Sequence, residues 1–495
     1  MKHVVVIGAG FAGLAAACFL AKEGIRVTVC DKNAHTGGRA QVFRKDGFTF
    51  DAGPSWYWMP DVFDRFFAQF GKSPADYYQL VRLDPSYQVV WEDETVPIPA
   101  DLKAQQQLFE TYEPGSGQRL QAFLKEAQFK YEKSMSTLVY QPSLSPLEFA
   151  RMDVLSALLK MDLLKSVSNH LHKFFRHPKL RQLTEFPVLF LGALPKNTPA
   201  LYTLMNYADM AGGTWYPMGG MGEIPKAMTA LATELGVTFR LGDAVTAIET
   251  SGKTTTGVVT EAGERIPADG VIAACDYAHA EEALLPEAHR NYTPKYWSSR
   301  ALAPSCLLYY VGVQDRVEGL LHHNLFFDAD FDRHAIELYQ NPAFPEDPLM
   351  YVCCPSKTDP SVAPEGTENL FILIPVATDL VEDDAVREQY FQLALERIRK
   401  RFGQDLSDRI LYKRSFARRD FISEYNSLRG NAYGLANTLM QTAFFKPKIR
   451  NKTLRNLFYA GQLTVPGPGV PPSLISGELA ALQVLSFLQK SVVGA

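Results

Sequence analysis

The spacing of apolar positions changes along the chain, and each change marks an element. Val4 to Ile7 is a β-branched run that predicts a strand. Gly8, Gly10 and Gly13 then break the run, and Leu14 to Ala21 reads as a helix. A second strand, Arg26 to Cys30, ends on Asp31. Residues 37–60 are glycine-rich and then aromatic, and residues 100–215 predict mainly helix. Short strands return at Thr238 to Leu241, Gly257 to Thr260 and Gly270 to Ala274. Leu307 to Val311 and Leu370 to Ile374 have strand composition, and Asp384 to Phe402 predicts a helix. The chain closes on a strand (Leu457 to Ala460), a glycine-proline loop and a helix (Ser473 to Leu488). A strand–turn–helix pattern at both ends predicts one α/β domain assembled from distant parts of the chain, with the middle inserted.

Composition narrows this picture only slightly. The 495 residues are 46% hydrophobic and 21% charged, ordinary for a globular chain with ample core. A net charge of -4 offers no global basic field, which argues against nucleic acid as a partner. The six cysteines include no C-x-x-C pair, and Cys353 and Cys354 are adjacent. Reduced, mostly buried thiols in a cytoplasmic protein are expected. His3 to Leu20 carries no full charge and could pass for a signal sequence or a membrane span. The ordered glycines and the strand before them argue against both, and no segment is expected to cross a membrane.

The strongest chemical signal is Gly8-Ala9-Gly10-Phe11-Ala12-Gly13 between a strand and a helix. Gly8 permits the tight turn, Gly10 lets a pyrophosphate approach the backbone, and Gly13 allows close helix–strand packing. The phosphates then meet free N–H groups at a helix N-terminus. Asp31, at the end of the next strand, is placed to bond ribose hydroxyls. Gly37-Gly38-Arg39-Ala40 and Gly47 to Pro54 follow, and Arg39 can offer a fork of donors to a diphosphate. Dehydrogenases that use only NAD need no such second element, so the cofactor expected is FAD. Near the C-terminus, Tyr459 to Gln462 feeds the loop Gly467 to Pro472 and a helix, which could set backbone N–H groups against a flavin ring. The expected FAD contacts are Gly8, Ala9, Gly10, Gly13, Asp31, Lys32, Gly37, Gly38, Arg39, Gly53, Pro54, Ser55, Gly461, Gln462, Gly469 and Val470. The FAD-binding parts are expected at 1–95, 236–300 and 431–495. A mainly helical substrate or membrane region is expected at 96–235, and a substrate-domain sheet with helices at 301–430.

These motifs, with Gly213 to Gly222, Tyr425 to Gly434 and Pro466 to Pro471, extend over nearly the whole chain, which resembles the bacterial-type phytoene desaturases among the carotenoid and retinoid oxidoreductases. The resemblance implies FAD, a long apolar polyene substrate and peripheral binding to the inner membrane from the cytoplasm. It also implies that Val245 touches the adenine end. The stretch Trp56-Tyr57-Trp58-Met59 departs from many members, which carry small or aliphatic residues there.

Desaturating a polyene needs a hydride acceptor, a proton route and an apolar tunnel. Trp56, Trp58, Tyr207 and Trp215 are candidate tunnel walls; each could equally be core. No acid or base is evident, and a quinone or oxygen is the expected electron acceptor, because only one dinucleotide motif is convincing. Within residues 153–183, Leu155, Leu158, Leu159, Leu163, Val167, Leu171, Phe174 and Phe175 fall near helical spacing among lysines and Arg176. Such a helix lies on a bilayer or faces the core, and the apolar run Phe186 to Leu194 leans toward the bilayer. Asp328 to Asp332 opens like a calcium loop but has Arg333 where glycine is required. His322-His323 has no Cys or His partner at metal spacing, so no metal is expected. The activity expected is stepwise dehydrogenation of phytoene to lycopene. The alternatives are desaturation or isomerisation of another carotenoid, retinol saturation, amine oxidation, and a non-enzymatic escort for prenylated proteins.

Overall fold

The two ends of the chain meet in one parallel sheet. Its strands run in the order Leu457–Tyr459, Gly270–Ala273, His3–Ile7, Arg26–Asp31, Thr238–Leu241. The computed structural model describes residues 1–145, 148, 162, 165–189 and 192–493. Val4, Val5 and Val6 are fully buried, because helices or strands cover both faces of this sheet. The first helix, Phe11–Lys22, packs between the closing helix Val470–Val493 and the helix Glu223–Glu234. At one crossing, a Cβ on Gly477 would stand 2.1 Å from the Ala12 carbonyl oxygen, so glycine alone permits this approach. Three antiparallel strands, Val245–Ser251, Thr254–Thr260 and Arg265–Pro267, extend this half.

The second half is built on a seven-stranded mixed sheet. The order is Ile410–Phe416, Ser305–Gln314, Thr367–Val376, Met350–Cys353, His323–Phe326, Tyr87–Val90, Thr95–Ile98. One face buries Leu307, Tyr309 and Ile372 under Phe391, Leu395 and Ile398 of the helix Asp384–Phe402. Each such side chain contributes about 1.5–3 kcal/mol of burial. The other face carries Leu308, Leu373 and Tyr351 in register across three neighbouring strands.

Three expectations are adjusted here. Tyr87–Val90 and Thr95–Ile98 are a hairpin of the seven-stranded sheet, so a boundary at residue 95 falls inside the substrate half. The helix Glu223–Glu234, expected within the helical region, packs on the dinucleotide helix. In the basic amphipathic segment, Val167, Leu171 and Phe175 are fully buried in the main core, with Ser166 capping the short helix by accepting from the Asn169 N–H at 3.3 Å. Its earlier apolar positions, Leu155, Leu158, Leu159 and Leu163, lie outside the described residues, as does part of the run from Phe186 to Leu194. No helix among the described residues is long and apolar enough to cross a membrane.

Candidate functional site

One cavity of about 930 Å³ runs between the two halves, polar at one end and apolar at the other. The polar end is organised by backbone. Gly8 has φ +107° and donates to the Cys30 carbonyl at 2.7 Å, which turns the chain out of its strand. A Cβ on Gly13 would stand 1.8 Å from the Gly8 carbonyl oxygen, so the helix can pack here only without a side chain. A Cβ on Gly10 would meet nothing nearer than 3.9 Å, because that position faces the open cavity. The first helix points its N-terminal amides at this space.

Asp31 accepts from the Ala9 N–H at 2.7 Å and the Asn33 N–H at 2.8 Å, which holds the turn and sets its carboxylate at the cavity edge. Burial raises its pKa, and the two backbone N–H donors oppose the shift. Lys32 donates to the Ser423 carbonyl and to Asn426 Oδ1, tying the segment around Tyr425 to the turn. Arg39 lies under Tyr425, with 5.4 Å from guanidinium to ring. Its Nη2 donates to the Gln462 amide oxygen at 2.9 Å in the amide orientation its neighbours select. Its Nε is buried without a partner. A Cβ on Gly53 would stand 2.2 Å from the Arg39 carbonyl oxygen, which locks Gly53-Pro54-Ser55 against this strap. Val245 lines the cavity beside Glu261, and Gly469 (φ +112°) and Val470 open the closing helix at its rim.

The open face at Gly10, the unpartnered Arg39 donor and two helix N-termini fit an FAD, with Asp31 placed for ribose hydroxyls and Arg39 for diphosphate. The cofactor supplies a two-electron acceptor when bound.

The apolar end is made by side chains. Leu308, Leu373, Tyr351, Cys306 and Phe371 form its sheet wall, and Trp56, Trp58, Met59, Pro187 and Met205 close over it. Trp58 Nε1 donates to Thr214 Oγ1 at 3.0 Å, and the Tyr351 hydroxyl donates to Ser55 Oγ at 2.9 Å. The lining side chains of this end carry no charge among the described residues.

Residues 11–485 match the family of flavin containing amine oxidoreductases. The chain belongs to that family. It is 43% identical to a carotenoid 3,4-desaturase of Haloarcula japonica over 97% of each chain. It is 35% identical to a zeta-carotene-forming phytoene desaturase of Myxococcus xanthus, over 98% of this chain and 94% of that one. A solved cyclohexylamine oxidase of Brevibacterium oxydans shares the fold (TM-score 0.60, 16% identity, 99% of each chain). The protein is an FAD-dependent oxidoreductase, and its motif-based resemblance to carotenoid desaturases holds along the chain.

Every expected FAD contact except Ala9 and Gly13 lines this cavity, and those two shape the turn behind it. Of the four aromatics, Trp56 and Trp58 reach the cavity, and Tyr207 and Trp215 do not. Trp215 is held in a strand paired with Leu80–Arg82, its Nε1 donating to the Gly212 carbonyl at 2.9 Å. Tyr207 faces Tyr131 at 5.4 Å from a π-helical turn, Tyr207–Ala211. Gly219 to Gly222 is an anchored turn, its Met221 and Gly222 N–H groups held by Asp51 at 2.9 and 3.0 Å. Burial raises the Asp51 pKa to about 6. Asp330 is a helix cap that accepts from the Asp332 and Arg333 N–H groups.

Asp276 escaped the sequence reading. It caps the helix Tyr277–Ala283, accepts from Leu428 N–H at 3.2 Å and faces Arg39 electrostatically across the cavity. An aspartate just before a helical segment was its only signal. Strand register sets Cys353 beside His322 and His323, a neighbour that spacing along the sequence does not reveal.

Proposed function

We propose that this oxidoreductase desaturates a carotenoid. The observation that carries the reading is the uncharged lining of the cavity's apolar end. A protonated amine would lose its hydration there without an anionic partner, whereas a polyene has only apolar surface to bury. Within that class, the 43% relative favours 3,4-desaturation near the end group of a conjugated carotene. Successive dehydrogenation of phytoene toward lycopene is the second reading, and the 35% relative supports it.

The chain's part is to position the polyene and keep water away. The wall of Leu308, Leu373 and Phe371 takes its flank, and Trp56 and Trp58 confine it. The Tyr351 hydroxyl donates to Ser55 Oγ and meets His323 Nδ1, which fixes the polar groups on that wall. The single dinucleotide turn supports a quinone or oxygen as terminal acceptor. Membrane contact at the cytoplasmic face of the inner membrane is supported by three large apolar side chains in a short span: Leu439 (43% exposed), Met440 (63%) and Phe445 (42%).

The test is to offer FAD-loaded protein and a quinone either lycopene or phytoene in liposomes and to separate the pigments. A 3,4-didehydro product from lycopene is expected. Conversion of phytoene alone would move the assignment to the second reading, and conversion of neither would overturn both.

A further inference from the structure

Behind the apolar wall lies a cluster that the proposed reaction does not use. His323 pairs with Cys353 across two neighbouring strands, and His322 precedes the first of them. A nitrogen from each imidazole and the Cys353 Sγ lie within 4.8 Å of one another. All three residues are buried, at 5%, 0% and 1% exposure for His322, His323 and Cys353. Each imidazole has its Nδ1 engaged: His322 with Thr358 Oγ1 at 2.8 Å, His323 with the Tyr351 hydroxyl at 2.7 Å. Each Nε2 is buried and has no hydrogen-bond partner.

That division of labour is the one metal-binding histidines show. One ring nitrogen is oriented by an outer hydrogen bond and the other is left free to ligate. A buried imidazole nitrogen without a partner is destabilising, and both rings that carry one stand beside a thiol. The rings are held in place as well. Trp56 stacks on His323 at 4.1 Å and 8°, and Tyr216 meets His322 edge-on at 4.6 Å. A void of about 10 Å³ borders His322, Cys353 and Ser55, close to what one water needs as a fourth ligand.

We infer that His322, His323 and Cys353 form a binding site for a thiophilic late transition ion, zinc(II) or copper(I). Two imidazoles and one thiolate are the wrong donors for magnesium or calcium and the right ones for these ions. Binding exchanges the Cys353 S–H proton for the metal–sulfur bond and releases that proton to solvent, with no change of oxidation state. The ion would clamp two strands directly behind Trp56 and Tyr351, both of which line the cavity. It would brace the substrate wall without touching substrate.

The test uses the full-length FAD-loaded protein, purified without chelator, dialysed against zinc and then freed of excess by gel filtration. Elemental analysis should return one zinc per chain. X-ray absorption at the zinc edge should show one sulfur near about 2.3 Å and nitrogen near about 2.0–2.1 Å. Cys353→Ser should lose the sulfur shell, and Tyr351→Phe should weaken retention by roughly 10- to 100-fold. An anaerobic titration with copper(I) against a competing chelator separates the two ions. Retention of less than a tenth of an equivalent of either ion would overturn the site, as would a coordination shell without sulfur. Zinc retention equal in wild type and His322→Gln would do the same. The wild-type spectrum decides even where a variant fails to fold.

Discussion

The two ends of the cavity are built by opposite means. At the dinucleotide end the determining atoms are backbone, and the sequence marks them by leaving side chains out: Gly8, Gly10, Gly13 and Gly53. At the apolar end the determining atoms are ordinary Leu, Phe and Tyr side chains from three strands. Missing side chains at fixed spacing are legible in a linear sequence. A wall assembled by strand register is not.

The comparison is broken most severely at Gly13. Gly13→Ala pushes a methyl into the Gly8 carbonyl, with an expected cost on the order of 4 kcal/mol or more. Little protein should carry flavin, read as the ratio of flavin to protein absorbance. Gly10→Ala has room in the fold, so its melting temperature should stay near wild type. Its FAD affinity should drop by about 10-fold or more, because the methyl occupies the phosphate approach.

Next in size is Arg39→Ala. Loss of charge-assisted hydrogen bonds worth roughly 1.5–3 kcal/mol should weaken FAD by about 10- to 100-fold in a fluorescence titration. Arg39→Lys should not restore it, since a point charge cannot replace the fork held between Tyr425 and Gln462. At the other end, Leu308→Gln should leave the flavin in place and lower kcat/KM for the carotene by about 10-fold, the result of an amide set against a polyene. Equal flavin loss in Leu308→Gln and Arg39→Ala would erase the distinction between the two ends.

How much could be read in advance follows the same division. The strands Thr238–Leu241 and Leu457–Tyr459 and the helix Asp384–Phe402 were legible within a residue or so, because each keeps one period and stops at a clear breaker. The strand Ser305–Gln314 was visible, but nine of its ten residues are buried, so no alternation says which face meets the helix and which meets the cavity. Trp215 and Tyr207 are aromatics that the sequence offers as tunnel walls with no sign of where they face. Their positions depend on a pairing with Leu80–Arg82 and on a π-helical turn, neither of which has a sequence period. The triad of His322, His323 and Cys353 spans two strands, so only the register at His323 and Cys353 reveals it.

An effect read on stability rather than on the cavity comes from the inserted helical region. Asp209 is buried, accepts from the Tyr87 hydroxyl at 3.0 Å and has its pKa raised by burial to about 7. A raised carboxyl pKa means that the folded state prefers the neutral form. Its stabilising contribution is complete below about pH 4 and is lost as pH rises through about 7. Melting temperature should therefore decline across that window, and Asp209→Asn should flatten the decline. An unchanged slope would show that Asp209 is not the group responsible.

The central claim is that one cavity holds FAD at its polar end and an uncharged polyene at its apolar end. Anaerobic mixing of the FAD-loaded protein with carotene-bearing liposomes, followed through the flavin absorbance, tests it most directly. Bleaching of the flavin by the carotene, with a red-shifted polyene product and no bleaching by primary amines, is the predicted result. Bleaching by an amine, with the polyene spectrum unchanged, would contradict the account.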